Sequence, residues 1–275
     1  MSEGSLHRGP RSGSPRPLDD GTTIPFVPRM VTELDWAGVD WTYAGYGPLR
    51  AGGLGALDPY DPLVDQTLTF LEAGRPTANS GAREYFWRHY VEPETHWPMS
   101  EVFLDRDDLP RFFELMFNNL AAAVHEDFRV GCEARDGVVS VSPADAEHWR
   151  MVRDMFVREE GGYDGSEQGL FLLQAIPRSW LRPGERLAVS EIGTYFGGKI
   201  GIDVQVAEDG NSVAVDAKLM KLAVQPKEIR IRLRSGDGRP LASATVNGKP
   251  TPVLPVDGLA LPVQTEGTFR IIGRF

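Results

Sequence analysis

The run Glu92-Pro93-Glu94-Thr95-His96-Trp97-Pro98-Met99-Ser100-Glu101 places carboxylates, an imidazole and an indole within ten residues. Two carboxyl groups facing one cleft can divide acid/base work. One, protonated, delivers its proton to a leaving oxygen, and the other activates water, at a separation of roughly 6.5–9.5 Å for an inverting hydrolysis of a glycosidic bond. Glu94 and Glu101 are the candidates for a carboxylate role. Trp97 has the flat apolar ring that stacks on a sugar, and His96 could bond a sugar hydroxyl or carry a proton. The prolines argue against regular structure, so the run is expected to be a loop between two helices. Each residue also has a plainer reading. Glu94 would be a solvated or backbone-bonded carboxylate, Glu101 a charge at a helix start, and His96 a packed neighbour of Trp97.

A second aromatic group, Trp41, Tyr43 and Tyr46, lies in a stretch from Trp36 to Leu57 that Gly45, Gly47, Gly52, Gly53 and Gly55 interrupt. Glycine at that density disfavours both a continuous helix and a regular strand. The rings, flat and carrying hydrogen-bonding edges, have the composition of a carbohydrate platform. Other chemistries lack their parts. Ser100 and Ser179 have no Gly-x-Ser-x-Gly elbow, and no His-Glu-x-x-His or His-x-His spacing suits a metal. The glycines Gly193, Gly197 and Gly198 around Tyr195-Phe196 are not followed by a lysine-serine pair, and Cys132, between Gly131 and Glu133, has no helix start in sight. No metal and no cofactor are expected. Arg230, Arg232 and Arg234 fall on one strand face, which suits anions but is more simply a solvated face. His148 reads as an ordinary helix residue.

With 29 Lys+Arg against 39 Asp+Glu, the net charge of −10 makes a dedicated nucleic-acid binder a poor expectation. One cysteine allows neither an internal disulfide nor a multi-cysteine zinc site. No apolar run approaches the roughly 18–20 residues of a membrane span, and no apolar stretch follows Arg8, Arg11 and Arg16 as a secretory signal requires. The expectation is a soluble, cytoplasmic chain without membrane contact. Its two parts differ. Residues 1–165 hold 15 Arg, no Lys and 28 acids, whereas 166–275 hold 9 Arg, 5 Lys and 11 acids, and 20 of the 26 aromatic residues lie in the first part. Stacking recognition therefore belongs to the first part.

Residues 1–23, rich in Ser, Gly, Pro and Arg, have too little to bury and read as a disordered tail. Helix signals follow. Asp61 before Pro62 is an N-cap with proline at the first helical position, ahead of Leu63, Val64, Leu68 and Leu71, and Gly74 ends the segment. A second helix is expected over about 80–91. A third runs from Asp108 to Val124, with Phe113, Phe117, Leu120 and Val124 as its core stripe. A fourth starts at Ser142-Pro143, with Asp145 three residues after the serine and Trp149, Val152 and Phe156 on one side, and ends by Gly161-Gly162. Arg129–Val141 reads as a hairpin turning at Asp136-Gly137. Beyond residue 166 the period changes to two. Ile200, Ile202, Val204 and Val206 alternate with polar residues or glycine, as do Ile229, Ile231 and Leu233. Turn signals at Asp209-Gly210, Gly236-Asp237-Gly238, Asn247-Gly248 and Asp257-Gly258 space these strands as in an antiparallel sandwich.

Three stretches together resemble the carboxy-terminal portion of bacterial proteins of the six-hairpin glycosidase superfamily, which join an (α/α)6 toroid to a trailing β-sandwich. They are Tyr46–Leu49 leading into Leu57-Asp58-Pro59-Tyr60-Asp61-Pro62-Leu63-Val64, then Ala175-Ile176-Pro177-Arg178-Ser179-Trp180-Leu181-Arg182-Pro183-Gly184, then Ile231–Arg234 with Thr245-Val246-Asn247-Gly248-Lys249-Pro250. The resemblance covers residues 24–275 but only the final third or so of such proteins. A toroid of six hairpins needs twelve helices, and the chain offers four or five. The resemblance thus implies a truncated, split or reduced member, holding at most one of the catalytic carboxylates. Trp41, Tyr43 and Tyr46 would then be either a glycan platform or a plug burying the toroid end, and Trp180 an anchor at the domain boundary.

The expected architecture is α+β and multidomain: a tail over 1–23, a helical region of partial toroid hairpins over 24–175, and an antiparallel β-sandwich over 176–275. The expected function is glycoside hydrolase-like, with acid/base hydrolysis of an oligo- or polysaccharide only if another polypeptide supplies the missing hairpins. The alternative is a non-catalytic module that binds glycans or another protein.

Overall fold

A computed structural model describes residues 16–17, 23–24, 48–72, 75–76, 83–84, 93–122, 124–125, 130–132, 142–162 and 166–275. These residues form an α+β protein with five helices and two antiparallel-rich sheets. The contacts divide the chain into two compact units, Met1–Met151 and Val152–Phe275. The division falls inside the last helix rather than at the expected boundary of 175/176, because strands that begin at Val157 already belong to the second unit.

In the first unit, two-residue strands pair as β1 (Arg16–Pro17) with β2 (Thr23–Ile24), and β3 (Arg75–Pro76) with β4 (Arg83–Glu84). The strand at 83–84 stands where a helix over 80–91 was expected, and the rest of that helix lies outside the described residues. So do the rest of the expected tail and most of the 129–141 hairpin, of which Gly131 instead bridges to Val124. The helices are α1 (Pro48–Gly53), α2 (Pro62–Glu72), α3 (Pro93–Asp105), α4 (Leu109–Ala122) and α5 (Ser142–Phe156). Helix α2 starts as the sequence predicts, since Asp61 Oδ1 accepts the Leu63 N–H at 2.8 Å. Gly52 lets α1 approach its neighbours. A Cβ there would stand 3.1 Å from Val64 Cγ2 and 3.3 Å from Val102 Cγ2.

Helices α3 and α4 form a hairpin closed by local hydrogen bonds. The Asp108 N–H donates to Phe103 O at 2.8 Å and the Asp107 N–H to Leu104 O at 3.1 Å, with Asp107 at φ 56°, which is a Schellman stop with aspartate in the left-handed position. Asp108 then caps α4 through the Arg111 N–H, at 3.4 Å from Oδ1. The buried face of α4 is Phe112, Leu115, Met116 and Asn119, whereas Phe117 is 44% exposed. The core stripe thus lies one residue round from the expected Phe113–Phe117 line. Helix α5 differs in the same way: His148, Met151 and Met155 are buried and Trp149 is 74% exposed.

In the second unit α5 runs directly into β5 (Val157–Gly162), which pairs antiparallel with β6 (Ser166–Leu172). The remaining strands are β7 (Arg186–Gly193), β8 (Lys199–Val206), β9 (Ser212–Met220), β10 (Glu228–Arg232), β11 (Ser243–Val246), β12 (Lys249–Thr251), β13 (Gly258–Leu261) and β14 (Gly267–Arg274). One sheet has the order β13-β10-β6-β5 and the other β12-β11-β14-β9-β8-β7. The first is not wholly antiparallel: β6 and β10 run parallel, because the chain leaves to build β7–β9 before it returns. Ile200, Ile202, Val204 and Val206 of β8 and Ile229 and Ile231 of β10, with Leu233 after it, are all buried, as their alternation predicts. The Asn247-Gly248 turn has positive φ at both residues, 50° and 76°, as its dipeptide predicts. Near Asp257-Gly258 the positive φ values fall instead on Val256 and Asp257, at 60° and 59°.

Candidate functional site

Of the candidate site residues, Trp41, Tyr43 and Tyr46 lie outside the described residues. Glu94, His96 and Trp97 stand on the first turns of α3, not in a loop. Pro93 occupies the first helical position, where a missing N–H costs nothing, and the helix continues through Pro98. Glu101 follows seven residues later on the same helix.

Glu101 itself is a packing residue of the first unit. It is 6% exposed, and its Oε1 lies 3.6 Å from Arg150 Nε of α5. Beside it a second polar contact ties α4 to α5, where the His148 Nε2–H donates to Asn119 Oδ1 at 2.9 Å with both residues buried. Burial pushes the His148 imidazole below its ordinary pKa, and Asp145, three residues earlier, opposes the shift. Asp145 Oδ1 also accepts the Gly131 N–H at 2.7 Å. A stripe of apolar residues alone does not reveal Asn119, because the neighbouring Asn118-Asn119 pair reads as solvated surface.

The second unit carries further polar groups. The strand register lines up Arg158, Phe171 and Arg230 in one row and Glu160, Gly169 and Glu228 two rows on. Over Gly169 the two carboxylates converge: a Cβ there would stand 3.0 Å from Glu160 Oε2 and 3.3 Å from Glu228 Oε1. Arg230 Nη2 bonds Glu160 and lies 3.8 Å from Glu228 Oε1. The guanidiniums of Arg230 and Arg232 sit over the Phe171 ring, at 4.8 and 5.4 Å from its centroid. Arg232 Nη1 donates to Gln174 O at 2.9 Å and Arg234 Nη1 to Ile176 O at 2.7 Å. These arginines are therefore not a solvated face. Arg232 is 5% exposed, and the side chains are occupied with carbonyls and an aromatic ring. Trp180 ends a short 3-10 turn, Arg178–Trp180, and is half-buried.

A third group surrounds Arg153. Its Nη2 bonds Glu159 Oε1 at 2.5 Å and Gly193 O at 2.9 Å, and its Nη1 bonds Asp154 Oδ1 at 2.9 Å and Val157 O at 3.1 Å. The Glu159 side chain is 2% exposed. Between the sheets a cavity of about 10 Å³, lined by Leu173, Val204, Val213 and Leu233 among others, is too small for more than one water. Among the described residues no three His, Cys, Asp or Glu side chains converge as a metal site, and Cys132 is buried as a free thiol. No helix among them is long and apolar enough to cross a membrane.

No protein-family model matches the chain, and no curated protein matches it.

Proposed function

We propose that this chain is a glycoside hydrolase-like, carbohydrate-active polypeptide that binds an oligo- or polysaccharide. In this reading α1–α5 are the last hairpins of an (α/α)6 toroid and the two sheets are its trailing β-sandwich. The observation that carries it is the order of the elements: a tightly closed α3–α4 hairpin, then α5 leading straight into a two-sheet unit. The three sequence stretches that resemble the six-hairpin glycosidases follow the same order. Cleavage by acid/base chemistry then depends on the missing hairpins being supplied, because in this reading the chain holds at most one of the two catalytic carboxylates.

A non-catalytic glycan-binding role for the chain by itself is favoured by one observation, the engagement of Glu101 with Arg150 inside the helical packing. The test is retention of the purified chain on polysaccharides, with release of reducing ends assayed in parallel. Trp41→Ala and Trp97→Ala should each weaken retention. A chain that no polysaccharide retains would sink the proposal.

A further inference from the structure

Past the Asn247-Gly248 turn the chain reads Lys249-Pro250-Thr251-Pro252-Val253-Leu254-Pro255-Val256. Its first three residues are the edge strand β12, which pairs with β11 alone. Pro252 to Val256 are five consecutive apolar residues and all five are exposed, Val253 at 36%, Leu254 at 38% and Val256 at 59%. Single apolar side chains on a surface are ordinary, but a run of five is not. The backbone beneath them is held. The Leu254 N–H donates to Gly258 O at 2.8 Å, Asp257 O accepts the Leu233 N–H at 3.0 Å, and Asp257 Oδ1 accepts the Leu241 N–H at 2.8 Å. Val256, a β-branched residue, is kept at φ 60° with its side chain in solvent.

Proline sets the shape of this segment and decides what can cover it. Each ring fixes φ at about −65° and restricts the residue before it to extended backbone, so Pro250, Pro252 and Pro255 also constrain Lys249, Thr251 and Leu254. Leu254 shows the result, at φ −86° and ψ 165°. From 249 to 255 only Val253 escapes a proline constraint, so little entropy is lost when a partner binds. An added strand is excluded as that partner, because 250, 252 and 255 have no N–H with which to complete a ladder. Recognition has to come through side chains. In a polyproline II segment three residues make a turn, so Pro252 and Pro255 share one edge about 9 Å apart, and grooves lined by aromatic rings receive prolines in that arrangement. Lys249, three residues before Pro252, is exposed and no described residue pairs with it. Its charge calls for carboxylates at one end of the groove.

We infer that Lys249–Val256 is a docking segment for a protein domain whose groove is lined by aromatic rings and carries carboxylates at one end, the chemistry that reads a basic residue ahead of Pro-x-x-Pro. The test is calorimetric titration of the full chain against purified SH3 domains selected to bind Lys-x-x-Pro-x-x-Pro peptides. The wild type is expected to bind at least one of them. Pro252→Ala and Lys249→Glu should each weaken that binding about tenfold, with thermal melting unchanged. Lys249→Glu, at a side chain without a partner, carries the test even where Pro252→Ala melts early. Equal binding by the wild type and Lys249→Glu would overturn the inference, and so would a wild type that none of the domains binds. Self-association of the wild type that Pro252→Ala abolishes would overturn it as well, by making a second copy of the chain the occupant.

Discussion

Arg153 and Glu159, six residues apart on either side of the junction where α5 becomes β5, are joined guanidinium to carboxylate at 2.5 Å, with the Glu159 side chain 2% exposed. Through the same guanidinium the junction reaches Gly193 at the end of β7, so one side chain ties a helix end, a strand start and a distant turn together.

Removing the arginine alone leaves a buried carboxylate without its counter-charge. Arg153→Met is expected to cost about 3–5 kcal/mol of stability, and adding Glu159→Gln should restore much of it. Urea unfolding of the single and double variants measures both. An additive double variant would mean that the pair is not coupled.

The His148 contact makes stability depend on pH. Its folded pKa is lowered, so between that value and the unfolded value of about 6.5 the unfolded chain binds more protons. The contribution is complete above the unfolded pKa and is lost as pH falls from about 6.5 toward the folded value. The difference in unfolding free energy between wild type and His148→Gln should therefore shrink in that range. A difference that stays constant from pH 8 to 5 would show that His148 does not titrate on unfolding.

The two faces of α5 give a direct contrast. Met151 is fully buried and Trp149 is 74% exposed. Met151→Ala is expected to cost about 2–5 kcal/mol, while Trp149→Gln changes stability by less than about 0.5 kcal/mol. Chemical denaturation reads both, and the reverse order would restore the stripe expected from periodicity.

Gly198→Ala places a methyl group against two carbonyl oxygens at a positive φ, and a loss of at least about 1–3 kcal/mol is expected. A calorimetric melt equal to that of the wild type would show that the turn is looser than its geometry.

How far the sequence could be read depended on the period. In the strands only one alternation fits, so Ile200 through Val206 and Ile229 through Leu233 declared their buried side. In α4 two stripes one residue apart both satisfy a 3.6-residue period, and the buried one ends in Asn119, which polarity disguises. In α3, Pro93 and Pro98 argued for a loop, yet the first is harmless at a helix start and packing carries the helix past the second. The Arg153–Glu159 pair and the convergence of Glu160 and Glu228 over Gly169 were not legible at all. The first depends on where the helix gives way to a strand and the second on which strands become neighbours, since the parallel pairing of β6 with β10 joins residues 59 positions apart.

What the purified chain does with polysaccharide bears most directly on carbohydrate binding. Gel retardation and release of reducing ends, measured together on xylan, polygalacturonate and mixed-linkage β-glucan, should show binding to at least one of them without cleavage. Reducing ends released by this chain alone would contradict the dependence of cleavage on further hairpins. Absence of retardation on all three would contradict carbohydrate binding itself.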